Sequence, residues 1–136
     1  MANMERILQA FGEKHFAGKI GCQIVSVVPE ESVCRLQITE QHLNATGNVQ
    51  GGVIFTLGDF AFAVAANAFG KVTVTLNSSI SYLRAAKGTE LLATAKQVSR
   101  SNRICVYEVD IRDNTDVHVA QMTITGYVKE KENGMA

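Results

Sequence analysis

Residues 53–69 read Val-Ile-Phe-Thr-Leu-Gly-Asp-Phe-Ala-Phe-Ala-Val-Ala-Ala-Asn-Ala-Phe, and their one ionisable group is Asp59. The tract is rich in Ala and apolar all the way round, which predicts a helix, about 52–69, buried on every side. Gly58, Asp59 and Asn67 interrupt it, and it is shorter than the ~20 residues of a membrane span, so no membrane partner is expected. Such a helix cannot lie on the outside of a sheet. Whatever else the chain forms has to enclose it.

The flanking sequence supplies strands for that purpose. Residues 72–83, 90–99, 103–112 and 117–129 are runs of Val, Ile, Thr and Tyr, punctuated by Lys87-Gly88, Ser101-Asn102 and Asp113-Asn114-Thr115-Asp116. Cys105, Tyr107, Val109 and Ile111 alternate with Val106, Glu108, Asp110 and Arg112, the period of a half-buried strand. Short loops between these runs predict an antiparallel meander. Upstream, 20–28 and 32–39 flank Pro29-Glu30-Glu31 and predict a hairpin. Ile7, Leu8, Phe11 and Phe16 place a short amphipathic helix over 4–16, and the polar residues 130–136 read as a frayed tail. The expectation is a single α+β domain over 1–136, with a curved antiparallel sheet wrapped around the central helix. One flank of so apolar a helix would still lie bare, so a second copy is expected to cover it.

Composition narrows the function. Thirteen basic and thirteen acidic residues cancel, without the basic excess of a nucleic-acid binder. Cys22, Cys34 and Cys105 are odd in number, widely spaced and in no CxxC or Cys/His cluster, as expected of core thiols in a reducing compartment. His15, His42 and His118 are far apart and no acidic cluster has ligand spacing, so no metal is implied. The N-terminal residues lack the basic and apolar regions of a secretory signal, and a cytoplasmic location is expected.

The chemistry concentrates between Asn44 and Asp59. Gly51-Gly52 opens the helix, where the first N–H groups lack internal partners and the dipole is positive, a place suited to a carbonyl oxygen gaining charge. Asp59 is a carboxylate amid Leu, Phe, Ala and Val, and has to be partnered, open to a cleft, or raised in pKa. Eight residues separate Asp59 from Gly51, about 12 Å along the helix. A carboxylate acts on a carbonyl only within a few ångströms or through one water. If the two groups share a site, two subunits supply them.

The pattern Asn44-x-x-Gly47-x-x-Gln50-Gly51-Gly52-x-x-x-x-Leu57-x-Asp59-x-Ala61, followed by Val74-Thr75 and Tyr82-Leu83-Arg84, resembles the hotdog-fold acyl-CoA thioesterases of the phenylacetate-degradation (PaaI-like) group over roughly 20–128. The resemblance implies a hotdog fold, dimers with two composite sites that often pair into tetramers, and hydrolysis of R–CO–S–CoA to acid and thiol. CoA enters as part of the substrate, and no separate cofactor is implied. By motif position, Gly51 would donate its N–H to the thioester carbonyl. Asp59 of the partner subunit would be the general base or the nucleophile, Asn44 would hold the carboxylate or the water, and Thr75 would orient water. Gln50 stands where the family commonly has His; it can bond a carbonyl or fix the loop but cannot shuttle a proton near neutral pH.

An acyl-CoA substrate brings phosphates and an acyl group to be housed. Arg84, Lys87 and Arg103, on loops near strand ends, are candidates for the phosphates. Phe55, Phe60, Phe62 or the N-terminal helix are candidates for the acyl pocket. Two other readings stand beside the hydrolase. A non-catalytic acyl-CoA binding module would suit Gln50, and a hydroxyacyl-thioester dehydratase would need a His near the helix start that this chain lacks.

Overall fold

The structure, a computed structural model, describes residues 4–135. Strand β5 (Ile104–Asp113) keeps the alternation of its sequence, turning Cys105, Tyr107, Val109 and Ile111 inward, where all four are buried. It pairs with β4 (Glu90–Arg100) on one side and β6 (His118–Glu132) on the other. The hairpin β1 (Cys22–Val28) and β2 (Glu31–Gln37) joins through β2 to β4, and β3 (Lys71–Tyr82) joins through β6. All pairs are antiparallel and the order is β1-β2-β4-β5-β6-β3.

Helix α3 (Gly51–Asn67) packs on the inner face of this sheet. Leu57, Ala61 and Val64 are wholly buried, and Phe62 meets Tyr107 edge-on with ring centroids 5.2 Å apart. At Gly58 helix and sheet pack closely, since a Cβ there would lie 2.1 Å from Met122 Sδ and force that side chain to shift. The expected enclosure of an apolar helix by a curved antiparallel sheet, the hotdog arrangement, is what the chain adopts. The three cysteines are free and buried. Among the described residues no helix is long and apolar enough to cross a membrane.

Three details depart from the sequence expectation. Only β4-β5-β6 form a meander; β3 crosses over to the far side of β6, because the β1-β2 hairpin occupies the free edge of β4. The single helix expected over 4–16 is two short ones, α1 (Met4–Ala10) and α2 (Phe16–Lys19). The chain turns at Gly12, and Gly18 folds back so closely that a Cβ on it would meet the Gly12 carbonyl at 2.2 Å. The tail is not frayed from residue 130. Strand β6 runs to Glu132 opposite Lys71, and Asn133 bonds Gly70 O and Asn67 Oδ1.

One stripe of α3 escapes the sheet. Gly52 is exposed and Phe55, Thr56, Asp59, Ala63 and Ala66 are partly so, spaced three and four residues apart along one face. Beside it runs β3, hydrogen-bonded on one side only, with Leu76 57% exposed.

Candidate active site

The loop before α3 is built by its own side chains. Asn44 Oδ1 accepts from Thr46 N at 3.0 Å, Thr46 Oγ1 at 2.8 Å and Asn48 N at 3.1 Å. His42 lies buried beneath the loop. Its Nδ1 accepts from Thr39 N at 2.9 Å, which leaves Nε2–H to donate to Ile20 O at 2.6 Å. Its carbonyl takes Gln50 N at 2.8 Å. The ring thus ties the loop to the start of β1 and holds the residue that begins the helix.

Gln50 O receives Val53 N and Ile54 N, and among the described residues the N–H groups of Gly51 and Gly52 have no partner. The Gln50 side chain is exposed and caps nothing. These two amides are therefore unsatisfied at the positive end of a helix of 17 residues, able to receive an oxygen carrying negative charge.

Asp59 sits on the uncovered stripe further along α3. Burial pushes its carboxyl up from the ordinary range, and a long bond from Thr75 Oγ1, 3.5 Å away on β3, pulls only weakly the other way. A partly desolvated carboxylate with one weak donor is a better proton acceptor than one in water.

The chain places the candidate residues in two groups. Asn44, Gln50 and Gly51 cluster at the start of α3, while Asp59 and Thr75 pair about 12 Å along the axis. Within one chain they do not converge. Arg84 lines a cavity of about 300 Å3 with Val49, Gly51, Ile54 and Leu83. Lys87 is exposed. Arg103 lies elsewhere, ion-paired with Glu130 and reaching Val128 O, whereas Arg84 N bonds Val119 O. Nine residues of β6, about 30 Å, separate those two places, so the three cations form no single patch within a chain. Of the three candidate pocket phenylalanines only Phe55 is on the open stripe. Phe60 and Phe62 are buried against Phe11 and Tyr107, because the sheet wraps their side of the helix.

Three residues of this region were assigned no part in the site from the sequence. Tyr82, which the family pattern includes without a role of its own, donates its hydroxyl to Gly51 O at 3.0 Å. His42 gave no local sign of its buried ties. Asp113, 2% exposed, accepts from Lys87 N, Gly88 N, Thr115 N, Thr115 Oγ1 and Val117 N, and so fixes the loop that follows Arg84. Burial alone would push its carboxyl up; the hydrogen bonds outweigh that and hold it well below the usual carboxylate range.

Comparison with known proteins adds to this geometry. The sequence profile of the thioesterase superfamily matches residues 46–120. A putative esterase of Archaeoglobus fulgidus is 36% identical over 66% of this chain, which spans 59% of that relative's length. The acyl-coenzyme A thioesterase PaaI of Escherichia coli is 32% identical over 76% of this chain and 75% of its own. The solved structure of E. coli PaaI superposes with a TM-score of 0.84 at 26% identity, covering 94% of this chain and 96% of that one. A hypothetical thioesterase of Streptococcus pneumoniae, solved with coenzyme A, gives 0.82 at 29% identity over 92% of this chain and 98% of its own.

Proposed function

This chain belongs to the thioesterase superfamily, in its PaaI-like hotdog group, and on that premise we propose that it hydrolyses acyl-CoA thioesters in sites assembled from two copies. The observation that carries this reading is the division of the candidate residues along one helix, with unpartnered amides at Gly51 and Gly52 and a raised carboxylate at Asp59. Two copies set with their helices antiparallel across a two-fold axis bring the Gly51 end of one against the Asp59 of the other. The bare stripe of α3 and the unpaired edge of β3 are the surfaces such a dimer would cover.

In the proposed reaction Asp59 takes a proton from water as the water oxygen attacks the thioester carbon. The carbonyl oxygen becomes an oxyanion held by Gly51 N–H. Collapse of this intermediate breaks the C–S bond, and the departing thiolate takes the proton back from Asp59. The products are a carboxylic acid and CoA thiol. Preorganised amides are worth a few kcal/mol to such a step because they need not reorient as charge develops. Thr75 orients the carboxylate or its water. Asn44, whose Oδ1 is engaged in its own loop, presents the loop and offers only its Nδ2 outward. Gln50 steadies the carbonyl without exchanging a proton, and Arg84, beside the cavity next to Gly51, receives part of the CoA moiety.

Subunit complementation tests this directly. Asp59→Asn and Gly51→Val are each inactive as homodimers. Co-refolded, they form heterodimers in which one of two shared sites keeps both an intact Gly51 and an intact Asp59. Random pairing restores about a quarter of wild-type thiol release, assayed with a disulfide dye on short, long and aromatic acyl-CoAs. No restored activity means that each site lies within one chain. Tight binding of acyl-CoA by the wild type without thiol release would identify a binding module instead.

A further inference from the structure

Tyr82 closes β3, and its backbone pairs with Ala120 of β6, so the sheet sets its position. From there its hydroxyl reaches Gly51 O, 31 residues earlier in the chain. The ring lies tight against the place of a side chain on Gly51: a Cβ there would meet Tyr82 Cζ at 3.2 Å and Oη at 3.3 Å, so the ring would have to give by a few tenths of an ångström. The ring is thus an intrachain reason for glycine at 51. Gly52 has no such reason, because a Cβ on it would meet nothing within 4 Å.

Tyr82 is 53% exposed, and Gly51 O is the one hydrogen-bond partner of its hydroxyl among the described residues. Were packing against glycine the only demand, Phe would serve as well. The hydroxyl does something further. A helical carbonyl keeps a second lone pair after its intrahelical bond, and Tyr82 occupies it, pinning the peptide between Gly51 and Gly52 in a first turn that would otherwise fray. The N–H across that same peptide is Gly52's; the Gly51 N–H that holds the oxyanion is on the preceding peptide, and Tyr82 sets its aim by holding the Gly51 residue itself in place. An amide that stabilises an oxyanion has to be aimed before the charge appears, and a misplacement of about 1 Å costs on the order of a hundredfold in rate.

We infer that Tyr82 is a positioning residue of the thioester site, fixing the Gly51–Gly52 peptide through its hydroxyl and ring while exchanging no proton. The inference rests on the thioesterase reading above. Its test is the Tyr82→Phe protein, full length and dimeric, assayed for thiol release with the acyl-CoA that the wild type turns over fastest. Loss of one hydrogen bond that acts on the transition state lowers kcat about tenfold and leaves KM within about twofold. Tyr82→Leu, which also removes the ring, loses more in kcat and raises KM. Wild-type kcat in Tyr82→Phe overturns the assignment, as does a loss seated in KM or one that tracks dissociation of the dimer in sedimentation. Asp59→Asn, run alongside, separates the two ideas: if it retains turnover, the thioesterase mechanism fails whatever Tyr82 does.

Discussion

Replacing Asp59 by Asn should move activity and stability in opposite directions. The amide has the carboxylate's shape and can still accept from Thr75 Oγ1 across the 3.5 Å contact, so the substitution isolates the charge. On the catalytic side it removes the proposed general base, a contribution of about 10²–10⁴ in rate, or roughly 3–5 kcal/mol of barrier. On the stability side, burial raises the carboxyl's pKa in the folded state. The folded chain then holds this proton more tightly than the unfolded one. The group is harmless below the unfolded carboxylate pKa, costs increasing stability as pH climbs to the folded value, and costs a constant amount above it. Removing such a functional charge brings about 0.5–2 kcal/mol, which for a domain of this size is about 2–8 °C in Tm. Thermal unfolding at one fixed protein concentration should show Asp59→Asn above wild type at pH 7, with the difference gone near pH 3. Wild-type thiol release should also fall on the acid side as Asp59 takes up its proton, at a pH above the ordinary carboxylate range. An Asn protein within tenfold of wild-type turnover, or one less stable than wild type at pH 7, would refute the reasoning.

Two further substitutions probe the supports of the site. Asp113→Ala removes the acceptor for five donors around a buried carboxylate and should cost about 3 kcal/mol in urea unfolding at pH 7. Because this carboxyl is held low, its contribution is complete above the unfolded carboxylate pKa and fades as pH falls through the folded value, so the gap between variant and wild type should narrow in acid. His42→Ala leaves Thr39 N–H and Ile20 C=O without their ring partner and should cost about 2 kcal/mol. It should also speed hydrogen exchange across 42–50, and unchanged exchange there would remove His42 from any role in holding the loop.

The central helix was legible because nearly every position of 53–69 is apolar, and no surface helix has that pattern. Its lone carboxylate was legible for the same reason. The place of β3 was not, because the strand segments have similar β-branched sequences and none of them carries a mark of which edge of β4-β5-β6 it takes. The break in the N-terminal helix turned on a contact between Gly12 and Gly18 that only the folded chain contains. In the site, Asn44, Gln50, Gly51 and Asp59 stood out by motif and by chemical type. Tyr82 stood in the family pattern, but its bond to Gly51 was out of view until β3 lay beside the start of α3. Arg103 could be read as a free cation only while Glu130, distant in sequence, was out of view.

From Val72 to Tyr82, β3 carries neither proline nor charge, and Lys71 alone guards its beginning. Proteins that live as monomers usually blunt a long outer strand with such residues, because a bare row of N–H and C=O groups accepts any passing strand. This chain leaves the seam open along 12 residues. In the proposed dimer the second copy covers this seam, so a newly made copy would be exposed to mispairing and to quality-control proteases until it pairs. The yield of working protein should then rise more steeply than its rate of synthesis, and fusion partners placed over this seam should spoil it even where they leave the fold intact.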